Sequence, residues 1–259
     1  LKYQTEFKKA IEFCFSEKSL FIALDDLYFI TEEYQPYIAD LFHVLTKDLN
    51  SYVKIASIKH RSRLYVRDKS SYHGIEIGHD AIEIDLDYSL EDIERLNMFY
   101  SSLLDAINKY LSIKITIDDI FSGDGYKQLC LASGGVTRDF LWLFSRCLNE
   151  IIINPTLKIG KQLINGQASS LITSKLNSIQ NEEGAISEKV ETLLQYLKNE
   201  VYNNKKTNCL LIKKDESEKY YEVKQLIKYL YDYRLIHLID KNTSAAPSDG
   251  SFYEAYILD

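Results

Sequence analysis

Phe21-Ile22-Ala23-Leu24-Asp25-Asp26 sets two carboxylates at the end of four consecutive apolar residues. Such a run predicts a strand buried on both faces of a parallel sheet, and ligands of open α/β folds bind beyond the ends of such strands. There Asp25 is suited to help hold a hydrated Mg²⁺, and Asp26 to polarise an attacking water. The same residues also read as a plain core strand followed by a helix from Leu27 that Asp26 caps. A second expected strand, from Val53, ends in the small polar residue Ser57 and is followed by Arg61 and Arg63. Ser57 suits a position between the carboxylates and a phosphate, and either arginine suits a terminal phosphate in the same or a neighbouring subunit. The competing reading is a basic loop after an internal strand. The third group is Gly134-Gly135-Val136-Thr137-Arg138-Asp139, between two helical stretches. Arg138 near a helix start can hold two phosphate oxygens in its planar fork. Alternatively the glycines serve a helix-to-helix turn, with Arg138 solvated or paired with Asp139.

Other constellations are weaker. His73, His79, Asp80 and Asp85 invite a metal-phosphohydrolase reading, and Glu83, Asp85 and Asp87 share one face of an expected strand. A solvated strand face accounts for the acidic row, because no lysine follows at nuclease spacing. His43 and His60 lack an HExxH context. Cys14, Cys130, Cys147 and Cys209 contain no CxxC pair, which points to dispersed buried thiols.

These groups need elements to position them. Apolar spacing predicts an opening helix over 3–17, strands over 19–24 and 53–58, and a helix over 37–49 between them. Ile82, Ile84 and Leu86 alternate with acidic residues and predict a third strand over 81–86 with one wet face. From Leu90 the pattern is helical, with Ser89 as the expected cap, and runs through helices near 117–121, 126–132, 138–152 and 157–179. Residues 181–184 read as a hinge. Helices over 188–202 and 223–232, a short strand over 210–212 and two strands over 234–240 and 252–258 follow, the pattern of a winged helix.

The 259 residues are 46% hydrophobic and 27% charged, the mixture of a chain that buries a core. A formal charge of −7 argues against general attraction to nucleic acid without excluding a local basic patch. No apolar run approaches the roughly 20 residues that span a bilayer. The chain opens at Leu1 with neither an initiator Met nor a signal-peptide pattern, and a segment upstream is expected.

In their order, FIALDDLYFI, VKIASIKHRSRLY, IGHDAIEIDLDYSLEDI, ASGGVTRDFLWLFSRCL and LIHLID…YEAYILD resemble AAA+ ATPases of the origin-recognition/STAND branch, in particular bacterial origin-recognition-like ATP-binding proteins. The resemblance implies an α/β fold in three parts: a partial parallel-sheet P-loop ATPase core over 1–115, an α-helical lid over 116–180 and a C-terminal winged helix over 181–259. It places Asp25 and Asp26 at Walker B, Ser57 at sensor 1 and Arg138 at sensor 2, with Arg61 and Arg63 as further phosphate contacts and ATP and Mg²⁺ as cofactors. Many relatives carry Asp-Glu where this chain has Asp-Asp, and Pro is frequent where Thr137 stands. No GxxxxGK[ST] loop occurs; Gly160-Lys161 has Pro155 in place of the first glycine and Gln162 in place of Ser/Thr. The resemblance puts that loop upstream of Leu1, so this portion alone is expected to bind nucleotide weakly or not at all. The implied function is a cytoplasmic, ATP-hydrolysing molecular switch that assembles with itself or a protein partner. The alternatives are a DNA-binding winged-helix initiator, with Lys205, Lys206, Lys213, Lys214 and Lys241 as phosphate contacts, and a non-catalytic scaffold. Nearby Asp215, Glu216 and Glu218 and the tyrosines of the 223–232 helix rank DNA below a protein partner.

Overall fold

The computed structural model describes residues 2–15, 18–58, 61–67, 71–86, 88–182, 184–214, 220–244 and 249–258. The chain divides into two compact units, Leu1–Asp85 and Leu86–Asp259. Among the described residues no helix is long and apolar enough to cross a membrane.

The first unit runs α1 (Lys2–Phe15), β1 (Leu20–Leu24), α2 (Gln35–Thr46), β2 (Ser51–Ile55), and a short antiparallel pair, β3 (Tyr65–Arg67) and β4 (Tyr72–Gly74). Pro36 lies in the first turn of α2, where its missing N–H leaves no hydrogen bond unmade. β1 and β2 pair in parallel, Leu20 opposite Ser51 through Leu24 opposite Ile55. Helix α2 packs against β2, β3 and β4, and α1 packs on α2.

Two expectations fail in this unit. The strands are not buried on both faces: Leu20, Ile22 and Leu24 are half-buried, whereas Phe21 is 60% exposed and Tyr52 opposite it 53%. Their rings stack at 5.1 Å with the Lys54 ammonium over Phe21, so this outer face covers itself in part. The second failure is the strand over 81–86. Its backbone makes a single bridge, Ile77 to Ala81, and Ile82, Ile84 and Leu86 stand 89%, 75% and 82% exposed. Alternation makes a segment fit for a sheet, but a strand exists only where a neighbouring chain supplies its hydrogen bonds. Among the described residues none does.

The second unit opens with α3 (Ile93–Leu111), α4 (Ile117–Ile120), α5 (Gly125–Ala132), α6 (Thr137–Ile153) and α7 (Lys161–Glu182). Leu96, Tyr100 and Leu104 recur along one face of α3, and Phe140, Leu143, Phe144 and Cys147 along one face of α6. They meet Phe121, Leu129, Ile159, Ile164 and Leu171 in one core, with the Tyr100 and Phe140 rings stacked at 3.9 Å. The expected cap at Ser89 is not made; its hydroxyl donates to the Glu91 carboxylate, and Asp92 caps α3 by accepting from the Arg95 N–H. Helix α7 begins at Lys161 rather than Leu157, because Ile159 is drawn into a bridge with Phe121.

After α8 (Gly184–Lys198) and a π-helical turn (Asn199–Asn204), the unit ends with β5 (Cys209–Lys213), α9 (Tyr221–Asp232), β6 (Ile236–Thr243) and β7 (Tyr253–Leu258). The three strands form an antiparallel sheet in the order β5-β7-β6. Ile227 and Leu230 of α9 join Leu235, Ile236, Leu238, Tyr256 and Leu258 in a second core. Helix α7 serves both cores, giving Ile164 and Leu171 to the first and Ile179 to the second. Cys130 and Cys147 are buried as expected of dispersed thiols, but Cys14 and Cys209 are exposed.

Candidate functional site

In the first unit the chemistry gathers at the carboxyl edge of β1 and β2. The parallel register brings the two strands out side by side, and the Ala56 N–H still donates to the Leu24 carbonyl at 2.8 Å. Asp25 and Asp26 therefore leave one strand where Ser57 leaves its neighbour, and all three are exposed. Asp26 turns the chain with a φ of 54°, a conformation that aspartate tolerates better than most side chains. Its N–H donates to the Asp25 carboxylate at 2.9 Å, which ties that side chain to the turn. The Asp26 carbonyl starts a 3₁₀ turn over Leu27–Phe29, yet its side chain makes no cap bond to that turn. The helix-cap reading of Asp26 is thus not realised.

The arginines are placed by residues that spacing did not reveal. The Arg61 guanidinium lies 5.0 Å from the ring centroid of Tyr28, two positions beyond Asp26. Gln35, 1% exposed, donates its amide to the Ile30 carbonyl at 2.8 Å and the Arg61 carbonyl at 3.3 Å. Its oxygen accepts from the Arg63 N–H at 2.7 Å. One buried side chain thereby fastens the 61–63 loop to the turn that follows Asp26, while the Arg63 side chain remains exposed. The only sequence signal for Gln35 is a polar residue just ahead of Pro36, which helix periodicity does not flag.

This edge offers two carboxylates and a hydroxyl to a ligand. Magnesium commonly uses one or two protein carboxylates and completes its shell with water and phosphate oxygens, so Asp25 and Asp26 fit such an ion. Among the described residues no group of three His, Cys, Asp or Glu side chains converges. In the rival metal reading, His73 instead faces Asp40 at 3.6 Å, and Asp80 accepts from the Glu76 N–H. Asp87 and His60 lie outside the described residues.

In the second unit Arg138 stands exposed in the first turn of α6. Gly134 and Gly135 lead into it with φ of 58° and 85°. A Cβ on Gly134 would lie 2.0 Å from the buried His237 imidazole, and one on Gly135 would lie 1.8 Å from the Tyr88 carbonyl oxygen. The glycines are needed for close approach as well as for the turn. Just before them Ser133 bonds the Tyr100 hydroxyl at 3.2 Å. Burial pushes that phenol up to about 12, so it stays neutral in this contact. Asp139 does not pair with Arg138: it is buried, with Lys175 at 3.1 Å and Arg234 at 3.8 Å.

Gly160-Lys161 is not a phosphate loop here. Lys161 opens α7 and pairs with Asp124 at 3.0 Å, holding that carboxyl below its ordinary range. Of the lysines considered for nucleic acid, Lys213 faces Asp249 and Lys241 faces Glu91, whereas Lys205 and Lys206 are exposed beyond the π-helical turn. Asp215, Glu216 and Glu218 lie outside the described residues.

Comparison with family models, with curated proteins and with solved structures finds no match.

Proposed function

We propose that this chain is the C-terminal portion of an AAA+-type, ATP-binding molecular switch, and that the phosphate-binding loop belongs to an upstream segment of the full-length protein. Bound Mg²⁺ would supply charge neutralisation at the phosphates, with Asp25 as its protein ligand. Asp26 positions the attacking water, Ser57 donates to a phosphate oxygen and Arg61 meets the terminal phosphate. In the second unit, Arg138 is the residue that the family resemblance assigns to phosphate sensing, through its planar fork. The module from α8 to β7 is read as a winged helix, the part whose placement answers to nucleotide state. ATP hydrolysis and self-assembly, or capture of a protein partner, are parts of the same reading.

The observation that carries it is the parallel register of β1 and β2, which puts Asp25, Asp26 and Ser57 at one strand edge. Nothing in composition required two segments 31 positions apart to pair in that frame. Engagement of Lys213 and Lys241 with carboxylates supports ranking a protein partner above DNA. The test is Mg·ATP binding and hydrolysis by the full-length protein beside Asp25→Ala and Arg138→Ala. Loss of hydrolysis in the first and weakened nucleotide affinity in the second are expected. Full-length protein that neither binds nor hydrolyses ATP refutes the reading and leaves a non-catalytic scaffold.

A further inference from the structure

The segment that carries Arg138 is held at both ends by one short stretch of the C-terminal module. At its start the missing side chain of Gly134 makes the space that the buried His237 ring fills. At its end the buried Asp139 carboxylate meets Lys175 of α7 and Arg234, three residues before His237. Lys175 binds twice: its ammonium lies 3.1 Å from Asp139 and donates to the Arg234 carbonyl at 2.9 Å. Arg234 itself has a φ of 60° in the turn between α9 and β6. About a hundred positions of chain separate the two stretches, so folding alone brings them together.

The three ions are unequal. The Lys175 side chain is 12% exposed and its ammonium close, whereas the Arg234 side chain is 41% exposed and its guanidinium near the outer limit of an ion pair. Buried, short-range pairs are held by low dielectric, while partly solvated ones are screened and exchange readily. Lys175 is therefore the fixed member of the cluster and Arg234 the one that can let go.

We propose that Asp139, Lys175 and Arg234 form a clamp coupling the Arg138 turn to the C-terminal module, with Arg234 as its releasable link. The regulatory part rests on the preceding reading: a phosphate held by Arg138 pulls on the first turn of α6, whose next residue is Asp139, and so strains the weaker Asp139–Arg234 contact. Nucleotide binding then loosens the start of β6. By linkage, loosening the clamp changes nucleotide affinity by the same factor that nucleotide changes the clamp.

Hydrogen–deuterium exchange on the full-length protein tests both parts, comparing wild type with Arg234→Gln, each with and without Mg·ATP, and with ATP binding measured separately. Gln keeps much of the side chain's length and removes only the partly exposed charge, so the fold is expected to persist. Without nucleotide, Arg234→Gln is expected to speed exchange several-fold in two places at once, the first turn of α6 and the start of β6, and to leave α3 unchanged. In wild type, Mg·ATP is expected to speed exchange at the start of β6, and the variant is expected to lose that response while still binding ATP. If Arg234→Gln loosens β6 but leaves the α6 turn untouched, the clamp is refuted whatever ATP does. If ATP binds and β6 does not respond in wild type, its regulation is refuted while the nucleotide-switch reading stands. If ATP does not bind, the switch reading and the regulation both fall, and the nucleotide-free comparison alone decides the clamp.

Discussion

Gly134→Ala is the most demanding check on the packing that surrounds Arg138. Alanine must adopt a left-handed conformation, at a cost of about 1–2 kcal/mol. Its methyl would also fall 2.0 Å from a ring carbon of His237, which is 6% exposed and has little room to retreat. Displacing a packed side chain of this kind costs about 1–3 kcal/mol. Alanine restricts the unfolded chain more than glycine does, which returns about 0.4–1 kcal/mol. The net expectation is a loss of about 1–5 kcal/mol, centred near 3. Urea unfolding followed by tryptophan fluorescence reads it selectively, since the single tryptophan, Trp142, lies in α6 of the second unit. A double-mutant cycle separates the two causes. With His237→Ala the overlap disappears while the backbone cost remains, so the double variant should be less destabilised than the sum of the singles, by about 1–3 kcal/mol. A Gly134→Ala loss under about 0.5 kcal/mol, or strict additivity with His237→Ala, would refute the argument that Gly134 is required by contact with His237.

Three further outcomes are expected. Gln35→Leu should strip partners from the Ile30 and Arg61 carbonyls and the Arg63 N–H, costing about 1–3 kcal/mol, with faster hydrogen exchange at 61–63 as its local signature. Asp139→Ala should cost about 1.5–3 kcal/mol by taking the carboxylate from the half-buried Lys175 ammonium, seen as a lowered denaturation midpoint, and a loss under about 0.5 kcal/mol would contradict it. Burial lifts the Cys130 and Cys147 thiols from 9 to about 11, so a disulfide reagent at neutral pH should label Cys14 and Cys209 promptly and the buried pair only on unfolding. Because the raised groups favour the protonated folded form, their stabilisation is complete below pH 9 and is lost as pH rises toward 11; Cys130→Ala/Cys147→Ala should flatten that alkaline decline.

Much of the second unit was legible from pattern. The one-faced helices α3 and α6 follow from apolar residues at helical spacing, and the terminal order of helix, strand, helix and two strands follows from period and punctuation. In the first unit the β1 and β2 segments were legible as well. What failed was the environment assigned to them: a short apolar run says that a segment can be buried, not which of its faces is covered. Phe21 and Tyr52 shelter each other instead. The 81–86 segment shows the same limit, since alternation carries no information about whether a neighbour is present to pair with it.

Residue types along the chain determined by themselves that Asp25 and Asp26 end an apolar run, that Ser57 closes a strand-like segment and that Arg138 follows two glycines, because these are properties of neighbours in sequence. Parallel pairing of β1 and β2 was expected from the sequence, whereas tertiary structure fixed its register, by which Asp25, Asp26 and Ser57 share an edge. It also decided that Gln35 fastens the arginine loop, that Gly134 makes room for His237, and that Asp139 turns away from Arg138 to Lys175 and Arg234. Each of these joins residues far apart in the chain through a hydrogen bond, an overlap of volumes or a buried charge. Such terms depend on distances in space, which local spacing does not encode.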